Sequence, residues 1–183
     1  MERSYTVEQL EKTVPLGEIL RDCVDVPYFL GLCRACPNYG NRWSCPPYSM
    51  EPLSVWLEYD ALHLIIRVLR PEAGMDQEAA IAMVERERRR FSDDLLELEK
   101  GRPAVRALAA GPCMRCGAVC ARREGKLCRM PDKVRFSIES LGGNVSALTE
   151  RYFGKSLLWM KDGVVPAYFV LAGGLFIKHT GVS

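Results

Sequence analysis

Seven of the eight cysteines in this 183-residue chain fall into two groups far apart in sequence, and any fold the chain adopts has to accommodate both. The downstream group, Cys113, Cys116, Cys120 and Cys128, reads C-x2-C-x3-C-x7-C within GPCMRCGAVCARREGKLC. Spacings of two and three on a tight turn let thiolates face one centre, and Gly117 lets such a turn curl without steric cost. The upstream group is Cys33 and Cys36 as C-x2-C, followed by Cys45, in GLCRACPNYGNRWSCPP. Its three prolines, Pro37, Pro46 and Pro47, restrict the path of the loop and leave less entropy to lose on ordering. Both loops have the character of metal-ligand loops.

Composition narrows the setting. The length suits one domain with a proper hydrophobic core and is short for two, so a single domain over residues 1–183 is expected. A formal net charge of +2 gives no bulk case for nucleic-acid binding. The start, MERSYTVEQLEK, is charged where a signal peptide needs an apolar run. The uncharged run from Gly163 to Ile177 is interrupted by Pro166, Gly173 and Gly174 and is too short for a bilayer span. A cytoplasmic setting is therefore expected, where thiols stay reduced and grouped cysteines argue for metal or redox chemistry rather than disulfides.

The sequence predicts an α+β fold, a mixed β-sheet with helices packed on it and two cysteine-rich metal-ligand loops. Thr6 and Gln9 form a capping-box pattern, and Pro15 then opens a second short helix from Leu16 to about Asp22. Val24 to Leu32 holds Pro27 and reads as an edge strand or extended segment. Ala61 to Leu69 reads as a buried central strand, and Asp76 to Lys100 as a helix with apolar Ala80, Val84, Phe91, Leu95 and Leu98. Its stripe breaks at Glu87 and Arg88, inside a run ERERRR that reads as a solvated face. Ala104 to Ala110 is a strand running into the downstream cysteines. Short helices are expected from Ser137 to Gly142 and Gly143, and from Ser146 to Phe153. Asp162-Gly163 signals a β-hairpin whose second strand Pro166 places at an edge. Gly154-Lys155-Ser156 is not a phosphate loop, because Thr149 holds the position of the upstream glycine.

Four-cysteine sites hold zinc or an iron-sulfur cluster. Two C-x2-C knuckles, Cys33/Cys36 with Cys113/Cys116, would make a zinc ribbon and leave Cys45, Cys120 and Cys128 without a role. Closely spaced thiolates completed by a remote cysteine near proline are nearer to cubane ligation, and Pro37, Pro46 and Pro131 supply that neighbour. One or two [4Fe-4S] clusters are the expectation, with zinc the alternative and metal-free thiols a third reading. Arg115, Arg122, Arg123, Lys126, Arg129, Lys133 and Arg135 crowd the downstream group, where cations lower thiol pKa and balance an anionic cluster. His63 lies in the predicted core strand and reads as structural rather than as a ligand; His179 is also remote from any cysteine.

The stretches CRACPNYGNRWSCPPY, GPCMRCGAVCARREGKLCRMP, RFSIESLGG and LLWMKDGVVPAYFVLAGGLF, in this order, resemble a widespread family of predicted metal-binding proteins, domain of unknown function 2284. The resemblance covers nearly the whole chain and implies metal or cluster binding at Cys33, Cys36, Cys45, Cys113, Cys116, Cys120 and Cys128, without an activity. Family members tend to read Ile-Asp-Val where this chain has Gly143-Asn144-Val145. Cys23 stands outside the motif and reads as a small buried hydrophobe, which leaves three thiolates upstream and one iron of a cubane open to water or substrate. Three function classes follow: an electron-transfer protein with a redox partner protein, an enzyme using the open iron as a Lewis acid with Tyr39, Arg42, Trp43 and Tyr48 near its mouth, the aromatics among them reading first as packing that shields the cluster, and a zinc-stabilised binding module. Neither nucleic acid nor membrane is expected as a partner.

Overall fold

In a computed structural model, which describes residues 5–117 and 119–179, the apolar run after Asp60 becomes the strand β2 (Ala61–Pro71), and the rest of the fold is arranged on its two faces. Alternate β2 side chains separate into two cores, as a period of two requires. Leu62, Leu64, Ile66 and Val68 join the core formed with helices α1 (Leu16–Asp22), α3 (Pro52–Leu57) and α5 (Val145–Phe153). Ile65 and Leu69 join the other, under helix α4 (Gln77–Glu99). The result is a sheet between one long helix and several short ones, the α+β architecture expected.

The sheet order is β1-β2-β4-β3, with β1 Tyr5–Pro15, β3 Val105–Leu108 and β4 Phe169–Ile177. All three ladders are antiparallel, where a mixed sheet was expected. Parallel pairing among the described residues is confined to the isolated bridge between Ala109 and Ser137. Because β4 is antiparallel to both neighbours, β2 and β3 run parallel with β4 inserted, a split β-α-β unit closed by α4.

Three local expectations are corrected. The capping-box pattern at Thr6 opens no helix: residues 5–15 form β1, paired along β2 from Tyr5↔Pro71 to Pro15↔Ala61. Eleven residues of ladder, with Tyr5 and Val14 buried, outweigh the local cap. Val24 to Leu32 is not extended, since helix α2 (Val26–Cys33) starts there. Pro27 sits in its first turn, where proline costs no hydrogen bond, and the Asp25 side chain accepts from the Tyr28 N–H at 3.0 Å. The Asp162-Gly163 turn is present as a bridge between Lys161 and Val164, but the strand that follows starts only at Phe169 and is interior rather than at an edge.

Interior position explains the glycine pair of β4. A Cβ on Gly173 would approach the Leu108 carbonyl to 2.7 Å, and one on Gly174 the His63 carbonyl to 2.4 Å. Neighbouring backbone fills the space a side chain would need. His63 itself is structural, its ring nitrogens 2.8 Å from Thr13 Oγ1 and 3.2 Å from Glu11 Oε2.

Helix α4 is tied to β3 through Glu99, which accepts from the Ala107 N–H at 2.8 Å and from Arg135 Nε and Nη2 at 2.6 Å each. Burial alone would raise this carboxyl, but the Arg135 and Ala107 donors outweigh it and hold its pKa below the usual glutamate range.

Two outcomes test the fold. Gly174→Ala is expected to cost about 1–3 kcal/mol, read by thermal or denaturant unfolding, because central-strand backbone has to move. Glu99 contributes stability that is present above the unfolded carboxylate pKa and lost as pH falls through its lower folded value. The stability of Glu99→Gln is therefore expected to be lower at neutral pH and to fall less on acidification than that of the unmodified protein.

Candidate metal centre

Each cysteine loop leaves a regular element that fixes its root. Cys33 ends α2, and the chain then turns repeatedly: the Cys36 N–H donates to the Cys33 carbonyl at 2.9 Å, Tyr39 to Cys36 at 3.0 Å and Cys45 to Arg42 at 3.0 Å. The downstream loop leaves β3 through Ala109, Ala110 and Gly111, and its turn at Gly117, φ 66°, closes on Met114 at 3.2 Å. A third segment braces both roots. The Ala109 N–H donates to the Phe136 carbonyl at 2.8 Å, while the Asp25 N–H donates to Gly142 at 2.9 Å and Asn144 to Cys23 at 2.7 Å. Gly142 (φ 87°) is required here, because a Cβ would lie 2.6 Å from the Cα of Val26. Asn144 caps α5 by accepting from the Ala147 N–H at 3.0 Å. Aspartate and asparagine serve that position alike.

The loops are locked together by reciprocal arginines. Arg42, on the upstream loop, donates to the carbonyls of Cys113 at 2.8 Å and Gly117 at 3.4 Å, with Asn38 holding its Nε at 2.8 Å. From the downstream loop Arg122 donates to the carbonyls of Arg42 at 2.9 Å, Cys45 and Pro47. Buried Ser44 accepts from the Cys113 N–H at 2.8 Å, and Trp43 Nε1 donates to the Lys126 carbonyl at 3.1 Å. The Arg122 guanidinium also stacks 5.0 Å from the Trp43 ring centre. Arg42 and Trp43, expected near the mouth of a reactive site, are thus the latch between loops. Tyr48 is packing too: its hydroxyl donates to the Ser44 carbonyl at 2.8 Å and its ring meets Phe136 edge-on at 5.1 Å.

Cys113, Cys116, Cys120 and Cys128 line one narrow cavity, walled by Trp43, Met130 and Val134. Cys33, Cys36 and Cys45 form the second group, close enough that a charge on Cys36 or Cys33 bears on Cys45. Every cysteine is a free thiol. Among the described residues, no three His, Cys, Asp or Glu side chains are gathered into a single-ion coordination group. Four of the thiols line one cavity and three share the neighbouring loop, and sulfur is a soft donor that suits zinc or iron-sulfur ligation rather than a hard cation.

Burial, not the surrounding cations, dominates the thiol electrostatics. It pushes Cys45 up to about 11, with the Ser44 hydroxyl and Arg42 opposing, and raises Cys33 and Cys113 as well. The expectation that the basic residues lower the downstream thiols is therefore reversed at Cys113, where burial outweighs Arg115, and a metal binding at any of the three would have to displace a proton. Most of the cations have other work: Arg115 pairs with Asp93, Lys126 with Glu124 at 2.8 Å, Arg129 with Glu124 at 3.9 Å and Arg135 with Glu99 at 2.6 Å.

Cys23 is buried in the core on the α1 side of the sheet. Helix α2, which ends in Cys33, stands between the two cysteines, and the seven steps from Val26 to Cys33 rise about 10 Å at about 1.5 Å per residue. Cys23 is a small core residue, as expected.

Sequence reasoning did not find Ser44 or the crossing role of Arg122, since nothing in a local pattern marks a side chain that acts 69 or more residues away. Arg122→Met is expected to cost about 2–4 kcal/mol by leaving carbonyls of the opposite loop unpaired, and to lower metal retained on purification. Lys126→Met, at an exposed pair, is expected to stay within about 0.5 kcal/mol. Paired thermal melts and metal analysis check both.

No helix among the described residues is long and apolar enough to cross a membrane. Neither the curated proteins nor the solved structures include a match to this chain. The family model described as "Predicted metal-binding protein (DUF2284)" matches residues 22–171 and so takes in both cysteine groups, the brace and the start of β4. This chain belongs to that family of predicted metal-binding proteins.

Proposed function

We propose that the protein is an iron-sulfur protein of redox function, with a closed [4Fe-4S] cluster on Cys113, Cys116, Cys120 and Cys128 and a second cluster on Cys33, Cys36 and Cys45. The observation that supports it most is the partition of seven cysteines into a four-sulfur cavity and a neighbouring three-sulfur turn. A single zinc would use four thiolates and leave the remaining three without a role. When bound, such clusters accept and release single electrons at potentials tuned by hydrogen bonds to sulfur and by exposure to solvent.

The chain's own residues supply that tuning. Trp43, Met130 and Val134 wall the cavity that the downstream thiols line. The Asn38 amide lies 3.7 Å from Cys36 Sγ and the Ser44 hydroxyl 3.8 Å from Cys45 Sγ. Exposed Leu127 and Met130, with Arg123 and Lys133 nearby in the chain, offer an apolar and basic face to an acidic redox partner protein. The position of Cys23 favours a second reading, in which the three-thiolate cluster keeps one iron free for substrate and the protein is an enzyme.

Iron and sulfide analysis of anaerobically purified protein, with electron paramagnetic resonance after reduction, tests the proposal. About eight irons per chain are expected for two cubanes, and about four would remove the upstream one. A colourless zinc-containing sample would reduce the metal to a support for the fold. Cys23→Ser is expected to leave the spectra unchanged; loss of the upstream signal would make Cys23 a ligand and close the open position.

A further inference from the structure

The long helix turns two charged residues inward where its sequence reads as a solvated face. Glu87 is accounted for, accepting from the Tyr5 hydroxyl at 2.6 Å and from Arg90 at 2.7 Å. Arg88 is not. Its side chain lies over Gly111, with Nε 3.5 Å from where a Cβ would stand, and makes no ion pair among the described residues. Across a cavity of about 130 Å³ it faces Glu139, whose Oε2 is buried without a hydrogen-bond partner. The walls between them are apolar: Val84, Ala110, Val145, Leu157, Trp159 and Phe169. A carboxyl oxygen buried without a partner is costly unless an occupant of the cavity supplies one, and Arg88 lines the same cavity with no ion pair among the described residues.

We propose that this cavity binds a small organic carboxylate with a short apolar tail, its oxygens held by Arg88 and Glu139 and its tail by Val84, Leu157 and Trp159. The guanidinium fork matches a carboxylate, whereas a cationic ligand would face Arg88 unfavourably. Burial pushes the Glu139 carboxyl up, opposed by its own N–H, the Ser137 hydroxyl and the Arg88 charge. A carboxyl held toward its neutral form donates to a second oxyanion instead of repelling it. The volume sets the size, since a dry cavity of about 150 Å³ takes one benzene. Arg88 sits at the root of the downstream cysteine loop and Glu139 in the brace that carries α2, so an occupant would stiffen both loop roots.

Isothermal titration of the purified full chain with sodium butyrate, butylamine and butyramide tests this, with metal content measured on the same samples. Saturable butyrate binding, at least about tenfold tighter than either control, is expected, together with a change in tryptophan emission that Trp159→Phe reduces. Arg88→Gln is expected to weaken butyrate by at least about tenfold without weakening butylamine. Equal affinity for the three probes, no binding of butyrate, or undiminished binding in a folded Arg88→Gln protein would each overturn the assignment. The comparison of probes needs no variant, so it stands even where Arg88→Gln does not fold. Butyrate binding to anaerobically purified protein that carries no iron would leave this assignment intact, while the missing iron, and not the binding, would sink the cluster reading.

Discussion

Two arginines, each reaching across to the backbone of the other's loop, hold the candidate centre together. Arg42 spends its donors on the carbonyls of Cys113 and Gly117, and Arg122 on those of Arg42, Cys45 and Pro47. Neither loop has strand or helix partners of its own over most of its length, so these contacts and the Ser44 link replace the ladder that regular structure would supply. Carbonyl acceptors do not depend on the identity of neighbouring side chains. Such a latch fixes backbone geometry while leaving the thiols free to turn toward a common centre.

Below the latch, the split β-α-β unit decides where the loops begin. β3 delivers the downstream loop and α2 the upstream one, and the segment from Phe136 to Asn144 touches both roots. The glycines at 142, 173 and 174 stand where backbone approaches backbone too closely for any side chain. Rigid roots and a latched rim suit a centre that must hold several soft ligands at once, since ligand position and burial govern both affinity and potential. Burial raises the thiols of Cys33, Cys45 and Cys113, so a metal taken there would have to replace a proton.

What the sequence determined by itself is whatever depends on local spacing. The grouping of cysteines, the central strand at 61–71, the long helix after Asp76, the helix from Leu16 to Asp22 and the helix before Phe153 all follow from periodicity, caps and breakers within a short window. The family resemblance rests on the same short motifs. Tertiary structure decided the rest because the competing interactions are distant in sequence. A ladder with β2 turned the capping-box segment into a strand, and insertion of β4 between β2 and β3 made an expected edge strand interior. Core packing turned Glu87 and Arg88 inward from a run that reads as solvated, and contacts across 71 residues or more made Arg42 and Arg122 a latch rather than loop decoration. A side chain's partner is set by which elements meet in space, and no local pattern records that meeting.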